Sequence, residues 1–152
     1  MADPVHAPER NRCNCSSLRK ASRRLSQFYD VYLAPSGLKS TQFAILSEIH
    51  RRRREPPTIG EMASALAMDA STVGQNLKPL ERDGLVSIDA ALDDRRRRNV
   101  RLTPQGEAAY AAAWPLWAEA QARFERRFGE GDAAELRALL VKIVSDESFV
   151  TE

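Results

Sequence analysis

The chain has 152 residues, 43% of them hydrophobic and 29% charged, with 23 Lys and Arg against 21 Asp and Glu for a net charge of +2. This is the composition of one folded domain with a proper core, and not of a generally basic protein. No apolar run approaches the roughly 20 residues of a membrane span, two cysteines are too few for a disulfide framework, and the opening MADPVHAPERNR lacks the apolar core of a secretory signal.

A disordered tail over residues 1–12 is therefore expected, followed by a single cytoplasmic domain over 13–152. Leu18, Ala21, Leu25, Phe28 and Tyr32 recur at spacings of three and four, the stripe of a helix over about 15–34. Pro35 and Gly37 end it. A second helix starts near Ser40, buries Phe43, Leu46 and Ile49, and finishes in Arg51 to Arg54, cations that suit a helix C-terminus. After Pro56-Pro57, Thr58 and Glu61 have capping-box spacing and open a short helix with Ile59, Met62, Ala63 and Leu66 inward. Asp69 caps the next, which runs to about Arg82 ahead of Gly84 with Val73, Leu77 and Leu80 inward. Two short helices joined by a tight turn make a helix-turn-helix candidate.

Leu85, Val86 and Ile88, then Val100 and Leu102 alternating with Asn99 and Arg101, read as a β-hairpin with Arg95 to Arg98 at its tip. Thr103-Pro104 begins a long helix carrying Ala109, Ala113, Leu116, Trp117, Ala120, Phe124 and Phe128, with a kink expected at Pro115. A last helix is expected from Asp132, capped to Glu135, burying Leu136, Leu139, Leu140 and Ile143. The fold class is thus mainly α with a small β-hairpin wing. A hairpin directly after a helix-turn-helix is a winged helix, here over about 40–103, between helical segments over about 15–34 and 104–148. The first helix has the spacing of a short coiled-coil seam, and Ala109, Ala112, Ala113 and Ala120 permit close helix approach. A monomer would leave these faces bare, so a homodimer through the N- and C-terminal helices is expected.

Eight of the 23 basic residues lie in two blocks, Arg51 to Arg54 and Arg95 to Arg98. Such local patches on a near-neutral body point to a directed anion site. With Val73, Leu77 and Leu80 inward, a turn of about 100° per residue sends Ser71, Gln75, Lys78 and Arg82 outward and leaves Thr72 and Asn76 on the flanks. That face is either plain solvated helix or a reader of double-stranded DNA. Gln and Asn can bond adenine in the major groove, and Ser or Thr can reach bases or phosphates. The adjoining basic hairpin favours the reader. One or two of Arg95, Arg96 and Arg97 would enter a minor groove while the others hold phosphates. Asp93 and Asp94 cannot be there to bind DNA; one of them is expected to pair with an arginine and orient its fork, with Asp94 taken as the wing-orienting residue. Arg51 to Arg54 are either a solvated helix end or a second phosphate contact.

Asp94-Arg95-Arg96, followed by Leu102-Thr103-Pro104-Gln105-Gly106, resembles the D-x-R and L-T-x-x-G wing signature of the MarR family of bacterial transcription regulators. STVGQNLKPLERDGLV resembles that family's recognition helix and its exit into the wing, and GLKSTQFAIL its second helix. Nearly the whole chain from about Cys15 to Phe149 fits the family's helical order. The resemblance implies a homodimer whose winged helices read a near-palindromic operator, a repressor released by a small molecule or an oxidant. Gly74-Gln75 departs from the Thr-Arg of many members, and Pro79 should bend the recognition helix's second half. Both bear on which operator is read.

Cys13 and Cys15 open the first helix, where a thiol can be activated toward oxidation. Cys15, Ser22-Arg23 and Tyr29 are similar in register to the family's organic-hydroperoxide sensors, although Arg19 stands where those carry a nearer tyrosine. The plain alternative is two inert small residues at a helix end. Metal binding by both thiolates with His6 or His50 would fall short of four ligands. The other signal route is a small aromatic acid held by Tyr29, Tyr32, Phe43, Trp114 and Trp117, residues that equally suit a core or a dimer seam. No catalytic constellation and no cofactor motif is visible, so an enzyme is not expected. A winged helix used only for protein interaction is the rival reading.

Overall fold

The computed structural model describes residues 12–151, so that most of the expected tail, and His6 with it, lies outside the described residues. Helix α1 spans Asn14–Leu33 and α2 Ser40–Arg51. Between them a 3-10 turn, Ala34–Ser36, carries Pro35 in its first turn. The amide of Ser40 donates to Asp30 at 2.6 Å, pinning the start of α2 against α1. Helix α3, Ile59–Ala65, opens with the Thr58–Glu61 capping box complete in both directions. Helix α4, Ala70–Arg82, is capped by Asp69 and runs on through Pro79. It ends as the amide of Leu85 closes back on the Leu80 carbonyl at 2.8 Å and that of Gly84 on Glu81, the two-bond helix stop that turns the chain into the hairpin.

Strands β1, Val86–Ala90, and β2, Arg98–Leu102, pair antiparallel with Ile88 opposite Val100. A short third rung forms where Asn99 bridges Thr58 and the Val100 amide donates to the Pro57 carbonyl at 2.8 Å. The wing is therefore hung on the α2–α3 connection as well as on its own hairpin. Phe43, Leu46 and Ile49 of α2, Met62 of α3, Val73, Leu77 and Leu80 of α4, and Val86 and Val100 of the hairpin close over one core. Each such side chain fully withdrawn from water contributes about 1.5–3 kcal/mol.

Helix α5, Pro104–Phe128, is capped by Thr103 and continues unbroken through Pro115. Its Ala113 is fully buried against the core and its Ala120 is fully buried farther along. Helix α6, Glu130–Ser145, begins two residues before the expected Asp132, so the Asp132–Glu135 capping box does not form. The reason is Gly129, which at φ 105° lets the chain reverse at once. A short helix α7, Ser148–Thr151, follows; the Asp146 carboxylate that caps it was not read from the sequence. The expected burial of α6 is also corrected. Only Ala133 is buried, Leu136 and Leu140 are half-buried, and Leu139 and Ile143 remain 54% and 47% exposed. One chain offers α6 little beyond α5 to pack on. No helix among the described residues is long and apolar enough to cross a membrane.

Candidate nucleic-acid interface

Asp69 organises the front of α4. Its carboxylate accepts the Thr72 amide at 2.7 Å and the Thr72 hydroxyl at 2.8 Å, and these bonds hold its pKa below the usual carboxylate range. Ser71, Gln75 and Lys78 project from the exposed face of the helix, as does Arg82, which bonds Asp83 at 3.1 Å. Thr72 and Asn76 are half-buried and already engaged. Thr72 is tied to the cap, and the Asn76 amide donates to the Thr72 carbonyl at 2.9 Å. The expected contact face thus divides into four exposed residues, of which Arg82 is paired with Asp83, and two held along the flank.

The wing tip is a turn, and the strand does not extend through the arginine block. The Asp94 carbonyl accepts the Arg97 amide at 3.0 Å, and its carboxylate accepts the Arg96 amide at 2.9 Å. Asp94 therefore orients the tip through the backbone, and of the two aspartates it is Asp93 that makes the expected pairing with an arginine, receiving the Arg97 guanidinium at 3.5 Å. Arg95, Arg96, Arg97 and Arg98 are all exposed, with Arg98 paired to Ala90 at the start of β2. The base of the wing is tight. The Thr103 hydroxyl donates to the Gly84 carbonyl and accepts the Gly106 amide, while the Thr103 amide reaches Leu85 at 3.1 Å. One residue, through its side chain and its amide, joins the exit of α4, the base of the hairpin and the first turn of α5.

The Arg51 to Arg54 block is partly spoken for. Arg51 forks both oxygens of Glu48, Arg52 reaches the same carboxylate at 3.2 Å, and Arg53 donates to the His50 carbonyl. These contacts suit the helix-end reading for three of the four.

Beside α2 and α5 lies an open cleft of about 700 Å³ lined by Tyr29, Phe43, Tyr110, Trp114 and Trp117, with His50, Arg51 and Arg53 at its polar side. Tyr32 does not join it; its ring packs 5.1 Å from Phe28. Tyr110 was missed, although its spacing of four and seven before Trp114 and Trp117 is helical. His50 was considered only as a metal ligand and not as part of this cleft. Its Nδ1 meets Glu107 at 2.7 Å and its ring stacks on Tyr110, a pairing across 57 residues that no local pattern encodes.

Cys13 is itself the N-cap of α1, its Sγ accepting the Ser16 amide at 3.4 Å, and both cysteines are exposed. Tyr29 does not bond Cys15 within the chain. It stands fourteen residues on, about 21 Å along a straight helix, and its hydroxyl donates to Gln121. Burial and the nearby Glu125 carboxylate raise its pKa.

A family model described as MarR family matches residues 36–97, from the turn before the second helix to the wing tip. Among solved structures, the chain is similar to the M. tuberculosis transcriptional regulator MosR in complex with DNA, at 34% identity and TM-score 0.81, covering 92% of this chain and 99% of that one. It is also similar to a probable transcriptional regulator from Pseudomonas aeruginosa, at 27% identity and TM-score 0.76, over 86% and 96% of the two chains. The transcriptional repressor CouR bound to a 23-mer DNA duplex matches at 25% identity and TM-score 0.77, over 86% and 92%.

Proposed function

The chain belongs to the MarR family, and from that premise we propose that it is a sequence-specific, DNA-binding transcriptional regulator, acting as a homodimer on a near-palindromic operator. The observation that carries the reading is a capped helix-turn-helix leading directly into a hairpin with four exposed arginines, three in its turn and Arg98 at the start of β2. Its relatives are transcriptional regulators rather than enzymes. In this reading Ser71, Gln75 and Lys78 of α4 meet base edges and phosphates in the major groove, with Thr72 and Asn76 at its margin. Arg95, Arg96 and Arg97 of the wing take the adjoining minor groove and backbone. The winged helix over about 40–103 reads DNA, and the flanking helices pair two chains.

The signal enters by one of two routes, and the cleft favours the first. A small aromatic acid would lay its ring among Phe43, Tyr110 and Trp117 and its carboxylate toward Arg51 or Arg53. In the second, Cys15 reduces a hydroperoxide and is itself oxidised to a sulfenic acid, with Cys13 as the nearest second thiol.

Fluorescence anisotropy with the DNA upstream of the protein's own gene tests the role. Tight binding that weakens steeply with salt is expected, and its loss on adding an organic hydroperoxide, reversed by a thiol, would assign the signal to Cys15. Binding that ignores oxidant leaves the aromatic acids. Failure to bind any fragment of that region would favour the protein-interaction reading.

A further inference from the structure

We propose that Arg51, Glu48, Arg52 and Glu61 form a relay of exchangeable ion pairs through which an anion in the aromatic cleft loosens the root of the wing. The proposal rests on reading that cleft as an effector site. Arg51 borders both the aromatic cleft and a neighbouring polar one of about 610 Å³ that includes Arg52, Glu61 and Arg97. Its guanidinium holds Glu48 by both oxygens, at 2.7 and 2.8 Å, leaving Arg52 a single contact to Glu48 at 3.2 Å. Arg52 reaches the other way to Glu61 at 3.9 Å.

Glu61 is the far end of the relay and the near end of the wing. Its carboxylate accepts the Thr58 amide at 2.7 Å, and the segment it secures, Pro57-Thr58, carries the third rung to Asn99 and Val100 of β2. The Glu48 side chain is only 11% exposed, so a partner lost to it must be replaced. A carboxylate arriving in the cleft competes for the Arg51 fork on equal chemical terms. Glu48 then draws Arg52 fully to itself, Glu61 is left with Arg97 alone of the two cations that act on it, and the rung beneath the wing is held less firmly. Side-chain exchange suffices for the whole sequence.

Hydrogen exchange of the Glu61 and Val100 amides in the full chain tests this without DNA. Arg51→Gln, which empties Glu48 as an anion would, should speed exchange at both amides about fivefold at constant pH. Glu61→Gln preserves the capping-box geometry but not the charge, and should speed exchange to the same degree. The double variant should be no faster than either single. Rates in Arg51→Gln within twofold of wild type, or effects that multiply in the double variant, would overturn the relay. Salicylate, used as the probe, should quench Trp114 and Trp117 fluorescence and speed Val100 exchange in wild type, yet only quench in Glu61→Gln. Quenching without faster exchange in wild type overturns the relay alone. No quenching overturns the cleft reading and the proposal with it.

Discussion

The carbonyl oxygen of Leu85 occupies the space in which Gly106 would carry a side chain: a Cβ built there stands 1.9 Å from it. The first turn of α5 is thereby pressed against the residue that begins the wing, and this is the physical content of the Leu102-Thr103-Pro104-Gln105-Gly106 signature. Threonine caps, and glycine makes room.

Gly106→Ala should therefore destabilise the protein by about 3 kcal/mol, the upper range for forcing a group into a packed site, seen as a lower denaturant midpoint. Gly74 is the control. It lies inside α4 with nothing within 4 Å of a built Cβ, so Gly74→Ala should be neutral or stabilising by up to about 1 kcal/mol. Equal losses at both positions would refute the steric account.

At the wing, Arg96→Ala should lower DNA affinity roughly tenfold to a hundredfold while leaving the oligomeric mass and melting temperature intact. Because Asp94 acts by accepting a backbone amide, Asp94→Asn should keep nearly full affinity and Asp94→Ala should not. If Asn and Ala behave alike in anisotropy titrations, Asp94 matters for its charge and the turn argument fails.

Acid should weaken the helix-turn-helix through its caps. Hydrogen bonds from Thr72 to Asp69, and from Thr58 to Glu61, lower both carboxyl pKa values in the folded state. The unfolded chain then takes up more protons in the window just below the usual carboxylate range, so stability is present above that window and lost as pH falls through it. Asp69→Asn keeps a capping oxygen and should flatten the decline in melting temperature. An unchanged slope would remove Asp69 from the account.

Light scattering should give twice the 17.0 kDa chain mass. The half-exposed Leu139 and Ile143 of α6 are the surface a partner would cover. Ile143→Asp should lower the mass toward one chain and, with it, operator affinity. A wild-type protein of 17.0 kDa would end the dimer reading.

Most of the winged helix was legible because its signals are local. Val73, Leu77 and Leu80 at helical spacing, Thr58 and Asp69 at their caps, and the alternation of Val100 and Leu102 each need only a few neighbouring residues to be read; the apolar ones join the core and the two polar ones cap their helices. What stayed hidden depended on distance or on a single backbone angle. The start of α6 turns on the φ of Gly129. The His50–Glu107 pair joins two helices. At the wing tip, sequence named the aspartates but not the division of labour between them: Asp93 meets a guanidinium and Asp94 an amide.

That division has a bearing on inheritance. Asp94 shapes the tip through main-chain groups that every residue possesses, so the arginines at 95 and 96 can be exchanged by mutation without the loop losing its form. Descendants of such a protein could acquire new target sites one substitution at a time, each intermediate still presenting a well-made wing.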